Sequence, residues 1–212
     1  LFKILISMSF LGTAFFIGKI LRKASLESEN FGVVFFALNP LIIIESLVSS
    51  HNDIVMMFFA IASLYLLMSK KYIRSTILFG LSIGVKFASF FIAPIFLLVY
   101  FFQKRKVKLN WEIVFSITTI LMIIPIILAS YRTNFQPWYL LNILPFASLV
   151  AKKYYFFIPS VIISFVSIFQ YLPFLYLGNW DNPVPLILFW MTTSPIFISV
   201  FLVAIWFLRQ IS

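Results

Sequence analysis

Long apolar runs recur along the whole chain, and they constrain its fold more than any other feature. A run of about 18 or more apolar residues can cross a bilayer core roughly 30 Å thick. Backbone groups in lipid must bond internally, so such runs form either helices or barrel strands. Barrel strands alternate apolar and polar residues, and these runs do not. The sequence therefore predicts an all-α, polytopic transmembrane helical bundle. The apolar runs cover residues 2–20, 31–48, 54–68, 76–102, 111–130, 154–175 and 186–208, with a shorter run at 140–150.

The few charged residues also favour a membrane protein. Only 10% of the chain is charged, against about 25% in a typical soluble domain. The net charge of +10 would suggest nucleic acid in a soluble protein. Here the basic residues lie in short clusters between apolar runs, so membrane topology explains them and no nucleic-acid partner is expected. The chain has no cysteine, which excludes disulfides and thiolate metal sites.

We expect a single transmembrane domain over residues 1–212. The chain begins with Leu1 inside an apolar run and shows no signal peptide, so we expect a fragment that lacks N-terminal helices and the first outer loop. The sequence contains no Walker motif and no strand followed by GxGxxG, which disfavours a nucleotide-linked donor.

Lysine and arginine predict the orientation, because cytoplasmic loops are enriched in both. The run at 76–102 has a strongly basic loop on each side, so both of its ends should be cytoplasmic. As one helix its 27 residues would extend about 40 Å, too long for one crossing and too short for two. We therefore predict a broken or re-entrant helical hairpin around Lys86; one long tilted helix is the alternative. With the hairpin, 13 of the 16 Lys and Arg residues lie on or near the cytoplasmic side, the exceptions being Lys3, Lys86 and Arg132.

This topology gathers nearly all the unusual polar residues on the outer side. Ionisable residues within a membrane are costly and tend to mark function. Glu45 lies two turns before Asp53, on one helix face if the helix continues between them. The outer residues are Glu45, His51, Asn52, Asp53, Lys86, Arg132, Gln136, Trp138, Tyr139, Trp180 and Asp181.

Three blocks of residues resemble the GT-C superfamily of membrane glycosyltransferases, and especially bacterial multi-pass, mannosyltransferase-like members that use polyprenyl-phosphate sugars. The first block is Asn39-Pro40 with Glu45 and residues 51–53, HND. The second is the stretch 79–86, FGLSIGVK, leading to Pro94, and the third is 136–140, QPWYL. Together the blocks cover residues 39–139, and the rest of the chain is similar in hydropathy only.

The resemblance implies a hexosyltransferase in the cell membrane whose active site faces the extracytoplasmic side. It also implies a polyprenyl-phosphate sugar as donor, a glycan or membrane lipid as acceptor, and inversion at the anomeric carbon with a carboxylate as base. In the family this base is often an acid in the first outer loop, which would lie in the missing N-terminal part. Asp53 is the best candidate base that is present.

For the candidate catalytic residues, each functional role has a structural alternative. Asp53 could accept the proton of an acceptor hydroxyl, or it could cap the helix that follows it. His51 could orient a carboxylate, bind phosphate or bind a divalent cation; otherwise it is an interfacial loop residue. As the only histidine it excludes a multi-histidine metal site. Glu45 belongs to a buried network or the active site, unless it lies close enough to the surface to be solvated.

The candidate binding residues have alternatives of the same kind. Lys86 and Arg132 could bind a lipid phosphate, but a lysine can also extend to the interface and the arginine can be an ordinary loop residue. Trp138 and Tyr139 could stack on a sugar, although aromatic residues are common at membrane interfaces. The Gly80-x-x-x-Gly84 motif favours close helix packing over a phosphate loop.

Two other classes of protein fit some of the same features. A transporter or lipid-linked sugar flippase also has broken helices and intramembrane charges. It should place Glu45, Asp53 and Lys86 near the bilayer midplane and contain inverted repeats, and no repeat is visible. A non-catalytic membrane scaffold is the third possibility.

Overall fold

The computed structural model describes residues 1–24 and 29–211, and every regular element within them is helical. Glu27, from the predicted loop at 21–30, lies outside the described residues. The predicted all-α, polytopic bundle is confirmed. The α-helices are α1 Phe2–Lys23, α2 Glu29–Ala37, α3 Pro40–Ile43, α4 Asp53–Met68, α5 Tyr72–Val85, α6 Ala93–Lys104, α7 Trp111–Leu121, α8 Ile123–Thr133, α9 Leu144–Ala147, α10 Tyr154–Ile168, α11 Leu172–Leu177 and α12 Val184–Ile211. A π-helical turn, Ile44–Val48, follows α3, and 3-10 turns occupy Phe87–Ile92, Pro137–Asn142, Ser148–Val150 and Phe169–Tyr171.

Within the described residues, five helical stretches are long and apolar enough to cross a membrane. A sixth candidate is the pair Asn30–Ala37 and Pro40–Val48, which is bent by 53°. The bend is local to Asn39 and Pro40: the Asn39 side chain accepts bonds from the amides of Leu41 and Ile42, and Pro40 has no N–H to continue the previous helix. The five unbent stretches are Phe2–Lys23, Phe87–Lys104, Trp111–Thr133, Tyr154–Leu177 and Val184–Gln210.

The predicted hairpin around Lys86 is present. Lys86 has an extended backbone, with φ −159° and ψ 134°, and separates α5 from the turn that leads into α6. The two arms return alongside each other. The rings of Tyr72 and Tyr100 meet edge to face at 4.9 Å, and those of Phe79 and Phe96 stack at 4.3 Å. Both ends of the segment are therefore at one end of the bundle, and the single tilted helix is excluded.

The basic loops gather at this same end. Lys104 lies over the ring of Tyr72, 5.3 Å from its centroid, which brings the loops before α5 and after α6 together. Lys153 Nζ lies 2.8 Å from a carboxylate oxygen of Glu112, joining the starts of α7 and α10. We call the region formed by residues 70–74, 104–112 and 152–153 the basic end.

The short apolar run predicted at 140–150 belongs to an irregular crossing. Residues 137–151 return from the opposite end of the bundle toward the basic end through short turns and the four-residue helix α9. Their backbone departs from a continuous helix, and nearly all of them are buried by neighbouring helices. Non-helical backbone at membrane depth is tolerated only where protein or a cavity covers it.

The prediction that Gly80 and Gly84 allow close helix packing is wrong. A Cβ atom added at either glycine would meet no described atom within 4 Å. α5 instead packs on α4 through Ser75 and Ser82, whose hydroxyls donate to the carbonyls of Ser63 and Met56. These serines are seven residues apart and share one helix face, and the two glycines lie off that face.

Alanine substitutions at Gly32 and Gly80 should change the stability in opposite directions. A Cβ at Gly32 would lie 2.5 Å from the backbone oxygen of Ser148, so Gly32→Ala should cost about 1–3 kcal/mol through overpacking. Gly80→Ala has open space and should gain about 0.5–1 kcal/mol from helix propensity. Thermal unfolding of both variants in detergent should give shifts of opposite sign. Equal shifts would mean that α2 does not approach residue 148 closely.

Candidate active site

The end of the bundle opposite the basic end contains a buried ion pair between Asp53 and Lys86. Lys86 Nζ lies 2.8 Å from each carboxylate oxygen of Asp53. Because α4 and α5 are antiparallel neighbours, the first residue of α4 meets the residue that follows α5. The Asp53 side chain is 1% exposed and that of Lys86 is 36% exposed. The carboxylate is therefore buried against Lys86, whose side chain is itself partly exposed.

The alternative role of Asp53 as a helix cap is wrong. Asn52 holds the cap position, and its side chain makes no capping bond. Asp53 is the first helical residue, and both of its carboxylate oxygens lie 2.8 Å from Lys86 Nζ. Asn52 is exposed, and its carbonyl oxygen accepts bonds from Val55 and Met56.

A second buried carboxylate, Glu45, lies in the π-helical turn Ile44–Val48 and is 1% exposed. The Tyr171 hydroxyl donates to its Oε1 at 3.0 Å. Its Oε2 lies 3.3 Å from Nε2 of His51, but the geometry is not that of a hydrogen bond and the atom has no other partner among the described residues. π-helical turns inside α-helices occur frequently at functional sites.

Glu45 and Asp53 do not share one helix face, because no helix continues between them. The π-helical turn ends at Val48, and Ser50, with a positive φ of 60°, lies between it and α4. The two carboxylates consequently have different partners.

Aromatic rings connect the two carboxylate sites. The His51 ring stacks on Trp138 at 4.3 Å with an interplanar angle of 15°. Trp138 meets Tyr139 edge to face at 5.8 Å, and Lys86 Nζ lies 5.9 Å from the Tyr139 ring centroid. The Tyr139 and Thr133 hydroxyls are 2.6 Å apart. The predicted residues His51, Asp53, Glu45, Lys86, Trp138 and Tyr139 thus form one cluster.

Two predicted residues lie beside this cluster. Arg132 is exposed at the end of α8, next to Thr133, and no contact among the described residues links it to Lys86. Gln136 lines a cavity of about 710 Å³ that extends from the third motif toward α12. Tyr171 also lines this cavity, so one side chain borders both the cavity and Glu45. The lining consists of Ser130, Asn134, Phe135, Gln136, Pro137, Gln170, Tyr171, Trp180, Pro185, Leu188, Phe189, Thr192 and Thr193.

The sequence did not identify Tyr171, Gln170 or Thr192 as site residues. Tyr171 is 126 residues from Glu45 and lies in an apolar run, where an aromatic residue is indistinguishable from one that faces lipid. Gln170 is the only amide in the run at 154–175. A single amide in an apolar run was the sequence feature that could have indicated a buried polar site here.

A metal centre is not evident among residues 1–24 and 29–211, which contain no group of three or more His, Cys, Asp and Glu side chains that could hold an ion. The divalent cation considered for His51 stays a prediction.

The fold and the cluster define a multi-pass membrane protein with a buried polar site at one end of its helices. Residues 1–102 match the family model described as Alpha-(1->6)-mannopyranosyltransferase, N-terminal domain. Over that segment the chain is similar to a GT-C-type mannosyltransferase family, which supports a membrane glycosyltransferase. The match includes the first two motif blocks and not the third. No curated protein and no solved structure matches the chain.

This match confirms the resemblance and the prediction of an enzyme. It supports a glycosyltransferase over the transporter and the scaffold. The family also implies a sugar donor and an acceptor as substrates.

Proposed function

We propose that the protein transfers a sugar from a polyprenyl-phosphate carrier to a glycan or lipid acceptor on the extracytoplasmic face of the cell membrane. The family description supports mannose as the sugar. The observation that carries the proposal is the Asp53–Lys86 pair, in which a buried carboxylate is bound by a partly exposed lysine side chain. It lies at the end of the bundle away from the basic loops, which favours an extracytoplasmic site under the positive-inside rule.

The pair suits a donor whose leaving group is a phosphate. Lysine is a compact cation on a flexible stem, so the ammonium of Lys86 can turn from Asp53 toward a phosphate that arrives from the exposed side. That movement would uncover the Asp53 carboxylate. Donor binding would therefore prepare the base, and the acceptor would react only after the donor is in place.

In the proposed reaction, an acceptor hydroxyl oxygen attacks the anomeric carbon of the donor sugar. The bond between that carbon and the phosphate oxygen breaks, and the electron pair leaves with the lipid phosphate. Asp53 takes the hydroxyl proton as general base. Lys86, with Arg132 as a second cation, neutralises the charge that develops on the phosphate, an effect that is usually the largest in such reactions.

The second carboxylate supports this reaction. Glu45 lies beside His51, and Trp138 holds the imidazole ring by stacking. His51 would then orient the acceptor hydroxyl. Asn52, Gln136, Trp138 and Tyr139 would contact the sugars.

The lengths of α4 and α5 support access from the membrane surface. With 16 and 14 residues they extend about 24 and 21 Å, whereas the hydrocarbon core is about 30 Å thick. The ends of α4 and α5 that are remote from this site lie at the basic end. If the basic end lies at the membrane–water interface, Asp53 and Lys86 lie several ångströms below the opposite, outer surface of the hydrocarbon core. A donor phosphate could reach this recess while its lipid chain stays in the bilayer.

The test is sugar transfer by the full-length protein in right-side-out vesicles, with substrates added only outside. We expect transfer from a polyprenyl-phosphate mannose to an α-1,6-linked mannoside and none from a nucleotide-linked mannose. Transfer from the nucleotide donor alone, or transfer only in inverted vesicles, would contradict the proposal.

A further inference from the structure

The cavity of about 710 Å³ differs chemically from the Lys86 site beside it. None of its 13 described lining residues is charged. Six carry a hydroxyl or amide group without an aromatic ring, and four carry aromatic rings. The polar set is Ser130, Asn134, Gln136, Gln170, Thr192 and Thr193, and the aromatic set is Phe135, Tyr171, Trp180 and Phe189.

We infer that this cavity binds the neutral sugar end of the acceptor, while the phosphate of the donor binds at Lys86. The inference rests on the proposed function and assigns its two substrates to separate places. The volume of the cavity lies within the range of about 300–1,000 Å³ typical of small-molecule sites.

The uncharged lining favours a neutral ligand. A phosphate in this cavity would lose water without gaining a cation, and burying an unpaired charge costs a large amount of free energy. A hexose instead presents hydroxyl groups to amides and hydroxyls, and C–H faces to aromatic rings.

Gln170 and Thr192 form the fixed part of the wall. Gln170 is 5% exposed, and its Nε2 donates to Thr192 Oγ1 at 2.9 Å. The Thr192 hydroxyl in turn donates to the Leu188 carbonyl at 2.8 Å. The two residues hold each other across the interface of the 3-10 turn Phe169–Tyr171 and α12, so the amide is oriented before any ligand arrives.

A third polar group at the wall lacks a partner. The Ser130 hydroxyl is buried and has no hydrogen bond to a described residue. Buried polar groups are almost always hydrogen-bonded, so this hydroxyl is an unsatisfied polar group next to the cavity.

Tyr171 connects the cavity to the proposed chemistry. Its side chain lines the cavity while its hydroxyl donates to Glu45. A sugar bound against Tyr171 would therefore lie next to the Glu45–His51 pair, where its reacting hydroxyl is needed.

The experiment measures binding and kinetics with full-length protein in lipid nanodiscs. Saturation-transfer NMR titrations would use α-1,6-mannobiose as the neutral probe and mannose 6-phosphate as the charged one. Steady-state transfer would give KM for the acceptor and for the lipid donor separately. Gln170→Leu and the nearly isosteric Thr192→Val are the test variants. Gln103→Leu and Ser199→Ala are the controls, because neither residue lines the cavity.

We expect each test variant to weaken mannobiose binding and to raise the acceptor KM about tenfold, which corresponds to one hydrogen bond of about 1.4 kcal/mol. The donor KM should stay unchanged, and the controls should match the wild type. Mannose 6-phosphate should bind the wild type more weakly than mannobiose.

Three results would overturn the inference: a raised donor KM with unchanged acceptor binding, no effect in either variant, or stronger binding of the phosphorylated probe. Thr192→Val keeps the inference testable if Gln170→Leu fails to fold. If the wild type transfers nothing from lipid donors but still binds mannobiose in a Gln170-dependent way, the proposed function fails and the sugar site stands.

Discussion

Asp53→Asn should lower the rate of sugar transfer by about 10²–10⁴-fold, the usual contribution of a general base. Asparagine keeps the size of the side chain but cannot accept the hydroxyl proton. It also releases Lys86 from its ion pair, so the donor should bind at least as tightly as before. The measurement is transfer from a polyprenyl-phosphate sugar at saturating donor and acceptor.

The matched control is Glu112→Gln. It removes the carboxylate of an ion pair with the same 2.8 Å separation, at the basic end of the bundle. This variant should transfer sugar at nearly the wild-type rate. If Asp53→Asn also stayed within threefold of the wild type, the base would be elsewhere, with Glu45 the next candidate.

Lys86→Met should reduce both activity and stability. Loss of one group that stabilises developing charge costs about 10²–10³-fold in kcat. The substitution also leaves Asp53 buried without its cation, which should lower the free energy of unfolding by about 3 kcal/mol. This value is at the low end of the range for a broken buried pair, because Lys86 is partly exposed. The free energy of unfolding can be compared through tryptophan fluorescence during thermal unfolding.

The double variant Asp53→Asn with Lys86→Met separates the two effects. Neither charge is then left unpaired, so most of the stability should return while transfer stays lost. Lys153→Met is the control, since its pair with Glu112 is well exposed and such pairs contribute about 0–1 kcal/mol. A double variant that regained transfer would mean that the pair has a structural role only.

The spans and the Lys86 hairpin could be predicted because both depend on local properties. Run length and the charge of adjacent loops determine how often a segment crosses the membrane. The basic loops on both sides of residues 76–102 required the chain to turn back, and Lys86 lay where a break was needed. Neither property depends on which helices touch.

The partners within the site could not be predicted in the same way. The pairing of Asp53 with Lys86 depends on antiparallel packing of α4 against α5, and the bond from Tyr171 to Glu45 joins residues 126 positions apart. Gly80 and Gly84, by contrast, predicted a helix contact that does not form. Their spacing is typical of close packing, but the helix face that contacts α4 is determined by Ser75 and Ser82.

The irregular crossing at residues 137–151 has a consequence for how the protein is made. A segment whose backbone departs from a helix cannot enter lipid as an independent unit, because its amides and carbonyls would lack partners there. Several helices that pack around it, including α1, α2 and α7, precede it in the chain and are synthesised first. Insertion of residues 137–151 is therefore a folding step onto protein already in the membrane, rather than a partition step from the translocon into lipid.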